Sequence, residues 1–237
     1  VTEDVNFKAQ SLSKLLQKFK CLRNIKMRIN FSNSIGKNVF NELLIPSLES
    51  LTIDSNALCK NFFKNAEKLC KLEDVDINWP TNFTADHIMT VLNGLTMLPE
   101  LTELILDRIS DAHEWQMLEN CEDLSLLKIK APIDFPLMMN VGSRLCQTLK
   151  DLFISLDISI IQSVRLIFIK LVLLSLEITS KNNDRSVNDE AVHCFMRNNF
   201  TKGINGTLEI LTLQQSTSFD LTPLSRFYFP KINLYTS

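Results

Sequence analysis

The chain has 237 residues, 45% hydrophobic and 22% charged, with a formal net charge of -2 and a pI near 6.0. A chain this apolar can bury a core, which excludes intrinsic disorder, and its balanced charge argues against a general polyanion binder. Five Gly and seven Pro leave few tight turns for an ordinary all-β fold, and the most apolar stretch, 152–178, is broken by Asp157, Arg165, Lys170 and Glu177, so no membrane span is expected.

In chain order, Leu12, Leu15, Leu16 and Phe19 recur at helical spacing and predict a helix over 1–20 that covers one end of the fold. A short pattern then begins and returns. Its fullest form is LESLTIDSNAL, residues 48–58, in which Leu48, Leu51 and Ile53, then Asn56, then Leu58 match L-x-x-L-x-L-x-x-N-x-L. Polar Thr52 and Asp54 alternate with the apolar pair, as on a strand buried on one face. The same core occurs at Leu22/Ile25/Met27, Leu72/Val75/Ile77, Leu101/Leu104/Leu106, Leu124/Leu127/Ile129 and Leu149/Leu152/Ile154. It continues at Leu171/Leu174/Leu176, Leu208/Leu211/Leu213 and Phe229/Ile232/Leu234. The steps between leading residues are 26, 24, 29, 23, 25, 22, 37 and 21, a spacing that scattered leucines would not hold.

Between the strands, four apolar sets recur at helical spacing: Leu58, Phe62, Ala66 and Leu69; Ile88, Val91, Leu92, Leu95 and Leu98; Leu137, Val141, Leu145 and Leu149; Val192, Phe195 and Met196. Trp115 lies on a further helical stretch and is read as packing. The 37-residue step holds the polar run SKNNDRSVNDE, 180–190, which is read as a disordered loop inserted in the seventh repeat over 179–190. The expected architecture is a single α/β repeat domain over 1–237, with a parallel sheet on the concave side of an arc and helices on the convex side.

The segments KFKCLRNIKM, AEKLCKLEDVDI and LENCEDLSLLKI, each with a cysteine just before its strand, resemble the cysteine-containing leucine-rich repeats of F-box proteins. The architecture is similar to that of ribonuclease-inhibitor-like repeats. The resemblance implies a repeat arc that holds a protein substrate. It also implies a Skp-type adaptor and cullin complex, provided that an F-box precedes Val1. Leu98, Pro99 and Glu100 are similar to the opening of an F-box but run straight into a repeat strand.

On the expected concave face, Asp54, Asp74, Asp76, Glu103 and Asp107 gather negative charge that a basic partner would relieve. Ile105, Leu126, Phe153, Leu173 and Ile210 place an apolar residue on each of strands four to eight, the kind of patch that marks a binding site. Trp79 and Tyr235 are the hot-spot candidates by residue type. Six cysteines without a C-x-x-C pair are read as reduced thiols of a cytoplasmic or nuclear protein. Against that stand four N-x-S/T sequons, at Asn30, Asn82, Asn199 and Asn205.

No nucleotide-binding, hydrolase or metalloprotease motif occurs, and His87, His113 and His193 are unpaired in spacing. The basic run Lys18, Lys20, Arg23, Lys26 and Arg28 has no interleaved aromatic platform for nucleic acid. Neither cofactor, metal nor nucleic acid is expected. The favoured function is a non-catalytic protein-interaction module serving as the substrate receptor of an F-box-type ubiquitin ligase. A free-standing inhibitor or scaffold and an extracellular immune-receptor ectodomain remain the alternatives.

Overall fold

The computed structural model describes residues 18–19, 21–27, 45–53, 58, 62–138, 142–179, 185–200, 207–215 and 229–236. Most of the helix expected over 1–20, and the turn asparagines Asn30 and Asn56, lie outside them. The chain divides into two compact units, 1–101 and 102–237.

The first unit holds β1 (Asn24–Met27), β2 (Ser50–Ile53) and β3 (Asp74–Ile77), followed by α1 (Ala85–Leu95). Its strands run parallel and in sequence order, with Asn24 opposite Ser50 and Ser50 opposite Asp74. The second unit holds β4 (Glu103–Leu106), α2 (Ala112–Leu118), β5 (Leu126–Ile133), α3 (Arg144–Thr148) and β6 (Asp151–Asp157). It continues with β7 (Leu173–Thr179), α4 (Arg185–Phe200), β8 (Ile210–Gln215) and β9 (Lys231–Thr236). These six strands also pair parallel, each with the next in sequence. Parallel neighbours need a crossover, and the segments between strands supply it. The fold is therefore α/β, and its succession of like strands is compatible with a repeat.

All nine strands begin at the residue the leucine spacing predicts. The inward pair is buried in β2 to β8, where Leu51, Ile53, Leu104, Leu106, Leu174 and Leu176 are fully enclosed. The leading leucines Leu48, Leu72, Leu124, Leu149 and Leu171 are enclosed as well. Each such side chain contributes about 1.5–3 kcal/mol of burial, so the repeated triplet is the main source of cohesion. β9 departs from the pattern: Ile232 and Leu234 occupy the inward positions yet are 39% and 53% exposed.

The strand starts are pinned by one recurring device. The carbonyl just before a strand accepts two N–H groups from the start of the next. Arg23 O takes Glu49 N and Ser50 N, and Glu49 O takes Glu73 N and Asp74 N. In the second unit Thr102, Ser125, Lys150 and Val172 do the same, all at 2.7–3.0 Å. Hydroxyls reinforce it: Ser47 Oγ donates to Leu22 O at 2.9 Å and Thr207 Oγ1 to Leu171 O at 2.9 Å.

The segments between strands depart from expectation in three places. The face of Leu58, Phe62, Ala66 and Leu69 is buried, but from Phe62 onward the chain is turn and a 3-10 turn at Ala66–Lys68 rather than α-helix. Four apolar residues that spacing places on one helix face can also be buried by successive tight turns. The helix expected from Leu137 to Leu149 shortens to α3. Leu137 lies in an extended stretch whose next residue, Met138, bridges to Arg165. The Leu137 carbonyl accepts Arg165 N at 2.8 Å, so this stretch is held by a strand-like pairing instead of turning into a helix. The run 180–190, read as a loop, is helical from Arg185 onward. The same helix goes on to carry the amphipathic face of Val192, Phe195, Met196 and Phe200, all buried, and packing of that face outweighs the polar composition of its first residues. Trp115, on α2, is buried as expected.

Candidate functional site

Residues alternating with the buried pairs point to the opposite, open face of the strands. In the first unit this face carries Asn24 and Lys26, both exposed, then half-buried Ser50, Thr52, Asp74 and Asp76. Burial pushes the Asp74 carboxyl above the usual carboxylate range. Asp54 lies outside the described residues.

Trp79 is not on this face. It is 2% exposed and sits 6.4 Å from the Phe83 ring, which in turn meets His87 edge-on at 5.3 Å. The reason is periodicity. Asn78 N donates to Ile53 O at 3.1 Å, so the chain stays extended past Ile77 and the inward series Val75, Ile77 simply continues to Trp79. That series is written in the sequence at a spacing of two, and it outranks residue type as a guide.

In the second unit the register sets three rows. The first is Glu103, Leu126, Asp151, Leu173, Ile210 and Lys231; the second is Ile105, Lys128, Phe153, Ser175, Thr212 and Asn233. The third runs through Pro132, Ser155, Glu177, Gln214 and Tyr235, after β5 inserts two extra residues between Lys128 and Pro132. Such a bulge re-aims the side chains around it.

Ile105, Leu126, Phe153, Leu173 and Ile210 all reach this face, and each is half-buried rather than open. They do not form one apolar row. Leu126, Leu173 and Ile210 share the first row with Asp151 set between the first two, while Ile105 and Phe153 share the second with Lys128 between them. The Lys128 ammonium lies 5.9 Å from the Phe153 ring centroid, within cation–π range. Tyr235 is 57% exposed on β9.

Asp74 and Asp76 belong to the first unit, Glu103 and Asp107 to the second. Asp107 is already engaged: its Oδ1 accepts Arg108 N at 2.9 Å and its Oδ2 lies 3.2 Å from the Arg108 guanidinium. Neutralised in this way, it adds little to a field for a basic partner.

Sequence reasoning did not single out Asp151. In register it stands between Leu126 and Leu173, two residues before Phe153 on its own strand. Burial pushes its carboxyl upward, opposed by the charge of Lys150. Among the described residues, no ion pair or side-chain hydrogen bond engages it. The signal was present in the strand trios and became visible only when pairing placed leucines on both sides. Ser155 is 2% exposed, and its hydroxyl has no partner among the described residues.

Cys21 and Cys70 are exposed thiols, Cys194 is half-buried, and Cys121 and Cys146 are buried. Burial pushes the Cys121 thiol up to about 12, which keeps it protonated and unreactive. Among the described residues, no group of three or more His, Cys, Asp or Glu is placed to hold a metal, and no helix is long and apolar enough to cross a membrane. Comparison with known protein families, with curated proteins and with solved structures finds no match.

Proposed function

We propose that the chain is a non-catalytic protein-recognition module of the leucine-rich-repeat kind, holding a partner on the open face of β4 to β9. One observation carries this reading. Across successive parallel strands the open face keeps half-exposed apolar side chains, Leu126, Phe153, Leu173 and Ile210, ringed by polar ones. Apolar anchors inside a polar rim are the composition of an interaction surface. Six strands at about 4.8 Å span roughly 24 Å, room for a peptide or one face of a folded partner.

Within that class, the role we favour is substrate recognition for an F-box-type ubiquitin ligase. The cysteine-before-strand segments and the unpaired thiols support it. The ectodomain alternative loses one of its sequons, because the Asn199 amide is buried and bonded on both sides.

Affinity capture from cell lysate with mass spectrometry tests both levels. The bait is the protein expressed from its complete reading frame, run beside a Phe153→Ala, Leu173→Ser variant whose folding is checked by circular dichroism. A partner held by the wild type and lost from the folded variant supports the open face, and an equal catch rules it out. Co-capture of a Skp-type adaptor and a cullin supports the ligase role. A face-dependent partner without them means an inhibitor or scaffold instead.

A further inference from the structure

We infer that Asp151 is the anchor for a basic side chain of the bound partner, an arginine or lysine flanked by apolar residues. This rests on the protein-binding reading above and names the chemistry it selects.

A half-buried carboxylate without a side-chain hydrogen bond costs the free protein stability, and the charge of Lys150 offsets this only in part. Asp151 is half-buried on the open face, with Leu126 and Leu173 beside it in the same row and Phe153 next on its own strand. Loss of water raises its proton affinity, and nothing in the described residues repays that loss with a hydrogen bond. A leucine or threonine would be better tolerated there by the free protein. A partner's cation reverses the balance. A guanidinium can take the carboxylate bidentately while its stem lies along Leu126 and Leu173. The Phe153 ring, which already carries Lys128 at 5.9 Å, flanks the carboxylate on the same strand.

The surrounding charges set the direction of approach. Lys128 already lies over Phe153 from the β5 side, and exposed Lys150 precedes Asp151 on the chain. Glu177, half-buried on β7 and engaged by no described side chain, adds negative charge on the other side. The partner's basic group therefore comes in over β6 and β7, away from β5. This differs from the acid cluster that sequence suggested, since Asp151 draws its strength from apolar neighbours rather than from other carboxylates.

The test uses the full chain and two peptides, N-acetyl-Leu-Arg-Leu-amide and its glutamine counterpart, titrated to millimolar concentration at low salt. The readout is the Asp151 carboxyl carbon and the Phe153 ring in NMR spectra. The arginine peptide is expected to shift both saturably and to bind about tenfold more tightly than the glutamine peptide, a difference of about 1.4 kcal/mol. Asp151→Asn, close to isosteric, is expected to abolish that preference and to raise the melting temperature of the free protein. Equal binding of the two peptides, no shift with either, or an unchanged preference in Asp151→Asn overturns the inference. The capture experiment separates this from the broader reading. A partner that needs Phe153 and Leu173 but survives Asp151→Asn leaves the open face standing and removes only the basic anchor.

Discussion

At the scale of single residues, two buried polar groups decide more than their size suggests. Asn199 is 1% exposed and makes three bonds. Its Nδ2 donates to Val164 O at 3.2 Å and Phe195 O at 2.9 Å, and its Oδ1 accepts Leu166 N at 2.6 Å. It ties the irregular segment before β7 to α4. Asn199→Ala strands the Leu166 N–H and the Val164 carbonyl, so it should destabilise the protein by about 3 kcal/mol in urea melts. The second group is Glu114, fully enclosed on α2. Its Oε2 accepts Ser110 N at 2.7 Å, while Oε1 has no partner among the described residues. Burial is the largest cause raising its carboxyl, with Asp111 adding to it and the Ser110 and Arg108 interactions opposing it. A carboxyl raised on folding contributes stability below its unfolded pKa and loses it as pH rises through the folded one. Glu114→Gln keeps the acceptor for Ser110 and removes the buried charge. It should be more stable than wild type at pH 7, and the gap should close toward pH 4, as thermal melts across that range would reveal.

At the scale of elements, strands were far more legible than the segments between them. A strand's alternation depends on two or three side chains and the face they bury. Every strand start followed from leucine spacing alone, and the half-burial of Ile105, Leu126, Phe153, Leu173 and Ile210 agrees with the register those starts imply. Helical spacing proved a weaker guide. Ile88, Val91, Leu92 and Leu95 do form one face of α1, capped by Thr84 with His87. The similar series from Leu58 to Leu69 buries its residues without an α-helix beyond Phe62, because a four-residue recurrence is met equally by consecutive turns. The site was less legible than the fold, since Asp151 gains meaning only from neighbours 25 residues before and 22 after it. One helix residue shows how closely these segments fit. A Cβ on Gly94 would run into Phe63 Cβ and the Phe63 carbonyl oxygen. Gly94→Ala should therefore cost about 1–3 kcal/mol in chemical denaturation, although alanine is by itself the better helix former.

At the scale of the whole molecule, the distribution of exposed apolar surface matters more than its total. β9 pairs with β8 along its length and exposes Ile232, Leu234 and Tyr235. Among the described residues no strand pairs with its other edge. Edges of this kind invite association, most of all where net charge is smallest, which for this chain is near pH 6.0. The double variant Ile232→Lys, Leu234→Lys should remain monomeric at concentrations where wild type self-associates near that pH. It should also melt within a few degrees of wild type, because those two side chains are already largely in water. Light scattering and calorimetry would read both.

The paired N–H groups that six of the strand starts (β2, β3 and β5 to β8) send to the preceding carbonyl have a consequence for how such a chain changes over time. Alignment of one strand with the next is settled locally, at its first two amides and its leading leucine, so the length of the connection carries no information about it. The 37-residue step before β8 shows this directly: β7 and β8 pair residue for residue over six positions despite the long detour. The connections are thus free to lengthen, shorten or exchange their content while the scaffold keeps its alignment. A single residue added just after a leading leucine would have the opposite effect and turn every following side chain of that strand inside out.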